Sequence, residues 1–216
     1  MDPQYSFVRM ILVRHGQARS RDGMYGPDTP LSDLGRRQAK LVAMSLGEES
    51  PVGAIYSSPL PRALETAVPI GEALRLAVAE DARLSELQVD PAPLDQIAAG
   101  RSDISIWRPE DRGAKDGETV HDFFVRVGSF CDWACGRHRD EKIVLVAHAG
   151  TIDAIFRWAL AVPPDQPWLF ELEVPNASIT EIEVWPFGRS SPGPPRHSVV
   201  YRVGAAAHLV EHGSAI

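Results

Sequence analysis

Four side chains in this chain are spaced to meet an anion. Arg14 and His15 follow one short apolar run, Arg62 follows a second, and His148 follows a third. If those runs are parallel strands, all four residues sit at carboxyl ends, where open α/β sheets gather ligands from segments distant in sequence. Arg62 also falls in the first turn of an expected helix, whose unpaired N–H groups and dipole favour negative charge. The formal net charge is −7, so two guanidiniums and two imidazoles brought together make a cationic crevice inside an acidic protein. Such a crevice suits a phosphate group.

The elements needed to bring them together are legible as hydrophobic periodicity. Phe7 to Val13 reads as a strand apolar on both faces apart from Arg9, as expected inside a parallel sheet. Ser32 is a candidate N-cap, and Leu34, Leu41, Val42 and Leu46 repeat at helical spacing until Gly47. Val52 to Tyr56 is a second strand. Leu60-Pro61-Arg62 then opens a helix continued by Ala63, Leu64, Ala67 and Ile70, with Pro69 expected to kink or shorten it. Val120, Phe123, Val127, Phe130 and Ala134 form an apolar stripe predicting a helix from about Thr119 toward His138. Lys142 to Ala147 is the third strand, and Thr151 to Leu160 reads as helical. Phe170-Leu172-Val174, Ile182–Val184 and Val199-Tyr201-Val203 predict further strands. The last two are joined by a loop, expected to be mobile, that holds four prolines and two glycines between Pro186 and Arg196. The expected architecture is a three-layer α/β/α sandwich around a mostly parallel sheet. It forms one domain over 1–216, with an irregular, cap-like segment at about 87–118 and no internal repeat.

The motifs then fall in a recognisable order: Ile11-Leu12-Val13-Arg14-His15-Gly16, Leu31-Ser32-x-x-Gly35-x-x-Gln38-Ala39, Ser57-Ser58-Pro59-x-x-Arg62-Ala63-x-x-Thr66-Ala67, Leu84-x-Glu86, Gly117-Glu118-Thr119 and Val146-Ala147-His148-Ala149-Gly150. The ensemble, over about residues 8–185, resembles the histidine phosphatase superfamily, the phosphoglycerate-mutase-like proteins. The resemblance implies that His15 attacks phosphorus to form a phosphohistidine that water cleaves. It implies that Arg14, Arg62 and His148 share the phosphoryl oxygens, and that Glu86 is the general acid and base with a raised pKa. A neutral imidazole is nucleophilic near pH 7, and a covalent intermediate divides one barrier into two lower ones. The positive charge comes from side chains, so neither metal nor cofactor is expected. Two departures stand at the substrate end. Ala18 and Arg21 occupy places where the family usually carries Thr or Ser and then Asn, and Glu86 is followed by Leu-Gln-Val-Asp-Pro-Ala-Pro. Arg21, Tyr25 and Thr119 are further candidate substrate contacts, and Trp107 a candidate pocket wall.

Bulk properties exclude other classes. The acidic balance argues against nonspecific nucleic-acid binding, which depends on Lys and Arg. No apolar run approaches the roughly 20 residues of a membrane span. The N-terminus lacks the basic, apolar and small-residue regions of a secretion signal, so a cytoplasmic location is expected. Cys131 and Cys135, four apart in a helical stretch, match neither a redox pair nor a zinc set and read as small half-buried side chains. His121, His138, His197, His208 and His212 lack motif context and read as structural or exposed. Hydrolysis of a small phosphomonoester is the leading expectation. Against it stand phosphoglycerate-mutase-type transfer, a protein phosphohistidine phosphatase, and a non-catalytic phospho-ligand-binding protein. The sequence is silent on oligomeric state and allows a homodimer.

Overall fold

The computed structural model describes residues 6–19, 26–48, 51–89, 107–168, 170–186, 196–211 and 214–215. A six-stranded sheet runs in the order β3-β2-β4-β1-β5-β6. Its strands are β1 (Val8–Arg14), β2 (Ala54–Ser57), β3 (Val78–Glu80), β4 (Glu141–Ala147), β5 (Ile179–Pro186) and β6 (Arg196–Ala205). β1 pairs in parallel with β4, β4 with β2 and β2 with β3, while β5 and β6 add an antiparallel flank.

The strict alternation of side chains along a strand explains the layering. Val8, Met10 and Leu12 of β1, with Ile143 and Leu145 of β4, enter one core cluster. Ile11, Val13, Val144 and Val146 enter the other. Helices α1 (Asp33–Gly47) and α2 (Pro61–Leu74) cover the second cluster, and α3 (Val120–Arg137) and α4 (Ala149–Ala159) the first. The three-layer α/β/α expectation therefore holds. Truncating a fully buried residue such as Leu12 to Ala would cost about 2–5 kcal/mol. Arg9, the polar exception in β1, is paired with Glu181 and Glu183 on the neighbouring β5 and lies over the Tyr201 ring.

Helix boundaries follow local chemistry. Ser32 caps α1 by accepting from the Gly35 amide, and Thr119 caps α3 by accepting from Asp122. Pro61 sits in the first turn of α2, and Pro69 lies inside that helix, which continues to Leu74 instead of stopping short. Three expectations change. The short edge strand β3 was not foreseen. α4 starts at Ala149, with His148 as its N-cap, two residues earlier than the periodicity implied.

The third change is that Phe170 to Val174 forms no ladder among the described residues. Side chains take its backbone groups instead: the Leu172 amide donates to Asp153 at 2.9 Å, and the Val174 carbonyl accepts the Arg14 guanidinium at 2.7 Å. Of the cap-like segment, 90–106 lie outside the described residues, as do 187–195 of the Pro-rich loop. Two short strands, β7 (Val210–Glu211) and β8 (Ser214–Ala215), pair near the C-terminus.

Candidate active site

The carboxyl ends of β1, β2 and β4 are tied edge to edge. The His15 amide donates to Ala147 O at 2.9 Å and the Ser58 amide to Val146 O at 3.0 Å. This brings Arg14, His15, Arg62, Glu86 and His148 to one cavity of about 540 Å³. The loop carrying His15 is docked on α1 with no space to spare. A Cβ at Gly16 would lie 2.5 Å from Gly35 O, and one at Gly35 would lie 2.1 Å from Gln17 O, so both positions require glycine. The Gln17 amide donates to Gln38 at 2.8 Å, and the Gly16 amide to Thr66 at 3.0 Å. These bonds give a physical task to the motif residues Gly35, Gln38 and Thr66, which hold the loop.

His15 is buried and its tautomer is set by its neighbours. Its Nδ1 lies 2.7 Å from Gly16 O, which can only accept, so Nδ1 carries the proton. The lone pair is then on Nε2, where the Arg62 Nε–H donates to it at 3.3 Å. Burial above all, with the cations Arg62 and Arg14 adding to it, pushes the His15 pKa down to about 3. The ring is therefore neutral at physiological pH.

His148 stacks obliquely beside it, with ring centroids 5.1 Å apart. Its Nε2 is 2.8 Å from Ser58 Oγ, while its buried Nδ1 has no hydrogen-bond partner among the described residues. Burial, then His15, Arg62 and Arg14, hold its pKa well below the ordinary histidine value.

Glu86 approaches from the segment after β3. One carboxylate oxygen accepts from the Gly150 amide at 2.9 Å and the other from Leu87 at 3.0 Å. Burial raises its pKa, against the opposing pull of those amides and of Arg62 and Arg14. A Cβ at Gly150 would stand 2.6 Å from Glu86 Oε1 and 3.0 Å from the Trp168 ring, so the glycine after His148 makes room for this carboxyl.

The segment is held from behind by Arg126. One guanidinium nitrogen donates to Arg83 O at 2.8 Å, Ser85 O at 3.1 Å and Ala82 O at 3.3 Å. The rest of the group pairs with Glu118, including Nε to Oε2 at 2.9 Å. Thr151 adds a bond to Ser85 O at 3.2 Å.

The remaining expected contacts divide. Thr119 spends its hydroxyl on capping α3 and does not line the cavity. Trp107 packs against the hydrophobic core, and its carbonyl accepts the Trp168 amide at 2.8 Å; it is not a cavity wall. Arg21 and Tyr25 lie outside the described residues. Asn176, which sequence patterning did not mark, lines the cavity and donates to His15 O at 3.1 Å. Ser58 was visible only as motif context, and its hydroxyl turns out to orient His148. Cys131 and Cys135 are free thiols as expected, but buried and not half-buried, because both fall on the face of α3 that enters the core. No helix among the described residues is long and apolar enough to cross a membrane.

Residues 10–191 match the histidine phosphatase superfamily, branch 1. The chain is 34% identical over 213 residues to glucosyl-3-phosphoglycerate phosphatase of Mycobacterium tuberculosis, covering 90% of this chain and 92% of that one. It is 28% identical over 217 residues to phosphoserine phosphatase 1 of Hydrogenobacter thermophilus, covering 94% and 95%. Among solved structures, a mycobacterial glucosyl-3-phosphoglycerate phosphatase in complex with VO3 has a TM-score of 0.72 at 30% identity, covering 92% of this chain and 99% of that one. By fold, by motif order and by these likenesses, the chain belongs to the histidine phosphatase superfamily, with phosphatases of phosphorylated small molecules among its relatives.

Proposed function

We propose that the protein hydrolyses a small phosphomonoester through a phosphohistidine at His15, with Glu86 as general acid and base and without a metal or cofactor. The observation that carries this reading is the His15 imidazole: neutral, its Nδ1 proton donated to Gly16 O, and its Nε2 lone pair, which must leave Arg62 Nε–H to attack, on a residue that lines the cavity. In the first step Nε2 attacks phosphorus, the bond to the ester oxygen breaks, and protonated Glu86 delivers its proton to the departing oxygen. In the second step the Glu86 carboxylate takes a proton from water, the water oxygen attacks phosphorus, and the P–N bond breaks to release phosphate.

Arg14 and Arg62 neutralise charge spread over the phosphoryl oxygens. His148 fits the same task. With Ser58 donating to its Nε2, the unpartnered Nδ1 carries a proton available to a phosphoryl oxygen. The VO3 and inorganic phosphate bound in solved structures of the mycobacterial relative are in keeping with an oxyanion in this place.

The test is turnover of p-nitrophenyl phosphate with EDTA at about pH 5 to 8, combined with rapid quenching. An acid-labile, alkali-stable phosphoenzyme should form in the wild type and be missing from His15→Ala, whose turnover should collapse. Undiminished turnover in that variant, or loss of wild-type turnover in EDTA, sinks the proposal.

A further inference from the structure

Asp153 is a buried acid that the proposed mechanism leaves without a task. It lies one turn after Gly150 on α4, is 3% exposed, and has Ile152, Ala154 and Ile155 of the core as neighbours. Burial above all, with Glu171 and Glu86 adding to it, raises its pKa to about 7, against the pull of the Leu172 amide and the Trp168 indole. Arg157, one turn further along α4, is the cation it acts on. A carboxyl held this way opposes folding once it ionises, so its presence in an otherwise apolar stretch of helix points to work other than stability.

Two chains of contact lead from Asp153 to the cavity lining. The first runs to Arg14. Asp153 Oδ1 accepts the Leu172 amide at 2.9 Å, and two residues further on the Val174 carbonyl accepts the Arg14 guanidinium at 2.7 Å. The stretch between these bonds is confined. Val174 is buried in the core, and a Cβ on Gly204 of β6 would fall 2.8 Å from Glu173 O. With β6 pressed against it and Asp153 tied to it, the stretch presents Val174 O to Arg14 at a fixed place.

The second chain runs to Glu86. The buried Trp168 Nε1 makes no hydrogen bond among the described residues, and Asp153 is the acid whose pKa that indole lowers. The Cη2 edge of the same ring abuts Gly150, where an added Cβ would lie 3.0 Å from Trp168 and 2.6 Å from Glu86 Oε1. Phe123 stacks on the indole and Phe124 meets it edge-on, and Arg157 fixes the chain just before it by donating to Pro163 O, Gln166 O and Pro167 O.

We propose that Asp153 is a positioning residue of this site, holding Arg14 through the Leu172–Val174 stretch and Glu86 through the Trp168 ring. What Arg14 and Glu86 do in turnover rests on the phosphomonoesterase reading above; the two chains of contact do not.

A carboxylate has two acceptor oxygens and can serve both chains, whereas a carboxamide has one. The experiment therefore compares Asp153→Asn and Asp153→Leu with the wild type. Calorimetric binding of inorganic phosphate reads the hold on Arg14, and kcat on butyl phosphate relative to p-nitrophenyl phosphate reads the hold on Glu86. Asp153→Asn keeps an acceptor for Leu172 and loses the one facing Trp168. Its phosphate affinity should stay within about twofold, while kcat on butyl phosphate falls about tenfold with much less loss on p-nitrophenyl phosphate. Asp153→Leu loses both acceptors, so its phosphate affinity should also fall about tenfold.

Melting temperature separates this from a structural role. The folded pKa of Asp153 lies above its ordinary value of 3.8, so ionisation opposes folding increasingly as pH rises toward about 7, and in full above it. Asp153→Asn removes that charge and should melt no lower than the wild type at about pH 8. Wild-type phosphate binding and an unchanged ester ratio in both variants overturn the assignment, as does an equal loss on both esters with a lower melting temperature in Asp153→Asn. Should Asp153→Leu fail to fold, the ester ratio of Asp153→Asn decides. If the wild type turns over no ester, the phosphomonoesterase reading falls, and phosphate binding to Asp153→Leu still decides the hold on Arg14.

Discussion

His15 and His138 are both buried, both within reach of one strand of the same sheet, and both hydrogen-bonded through their two ring nitrogens, yet their surroundings are opposite. His138 is the C-cap of α3, on the amino-terminal side of β4, with Tyr56 Oη 2.7 Å from its Nε2 and Glu141 Oε2 2.7 Å from its Nδ1. The order Tyr–His–Glu imitates the arrangement by which a hydroxyl is activated. Phe130 and Trp133 pack edge-on to Tyr56, and the Arg83 guanidinium lies over both of those rings, tied to Asp81. His15 has no carboxylate partner among the described residues; its Nδ1 meets a neutral carbonyl and its Nε2 a guanidinium. A histidine supplied with a carboxylate and a phenol on both sides is a structural tie. One kept neutral by burial and cations, in the lining of a cavity, is what the proposed attack on phosphorus requires.

The contrast is broken most directly by removing each ring. His15→Ala should lower turnover of p-nitrophenyl phosphate about ten-thousandfold or more. A comparable loss in His138→Ala, at equal folded fraction, would erase the distinction. Next in size, Arg62→Ala removes the donor to Nε2 and, on the proposed mechanism, a charge at the phosphoryl oxygens, and should cost roughly a hundredfold to a thousandfold in kcat. It should also raise the His15 pKa, since Arg62 is one of the groups depressing it; the His15 ring shift followed by NMR against pH would show this.

The pH profile sharpens the same point. With His15 at about 3, protonation of the nucleophile is confined to strong acid, so kcat/KM should show no loss centred on the ordinary imidazole value near 6.5. On the proposed mechanism Glu86 must start protonated, and burial raises its pKa, so turnover of alkyl phosphates should fall as pH climbs through a value above the usual glutamate range. Glu86→Gln should abolish that alkaline limb and slow alkyl esters about a hundredfold, with much less effect on p-nitrophenyl phosphate.

Arg126→Ala leaves Glu86 in place but removes its backing. A loss of about tenfold, larger for alkyl than for nitrophenyl esters, is expected if the clamp positions the carboxyl. Equal loss on both esters would mean that it serves stability alone. The smallest effect on turnover belongs to His138→Ala, within about twofold, with a fall of about 1–3 kcal/mol in unfolding free energy from the orphaned Tyr56 and Glu141 groups.

Much of this was legible beforehand because it is local. Strand and helix periods depend on neighbours a few residues away, and they located β1, β2, β4 and the four main helices. The failed strand at Phe170–Val174 shows the limit. Its alternation is that of a β-strand, but Asp153 and Arg14, both distant in sequence, claim its backbone groups. Thr119 was a candidate contact on motif grounds and is a helix cap, because a hydroxyl before Val120 serves its own N-terminus first.

Taken alone, the sequence determined the inventory for His15: which strands deliver it, which arginines and second histidine accompany it, and the order of motifs that marks the family. Tertiary structure decided its state. The partner 47 residues away on His15 Nε2 and the amide 64 residues away that donates to Glu86 are long-range matters. Residue types fix what a group can donate or accept. Burial and the neighbours that folding supplies fix whether it keeps its proton, and only the assembled sheet ends provide them.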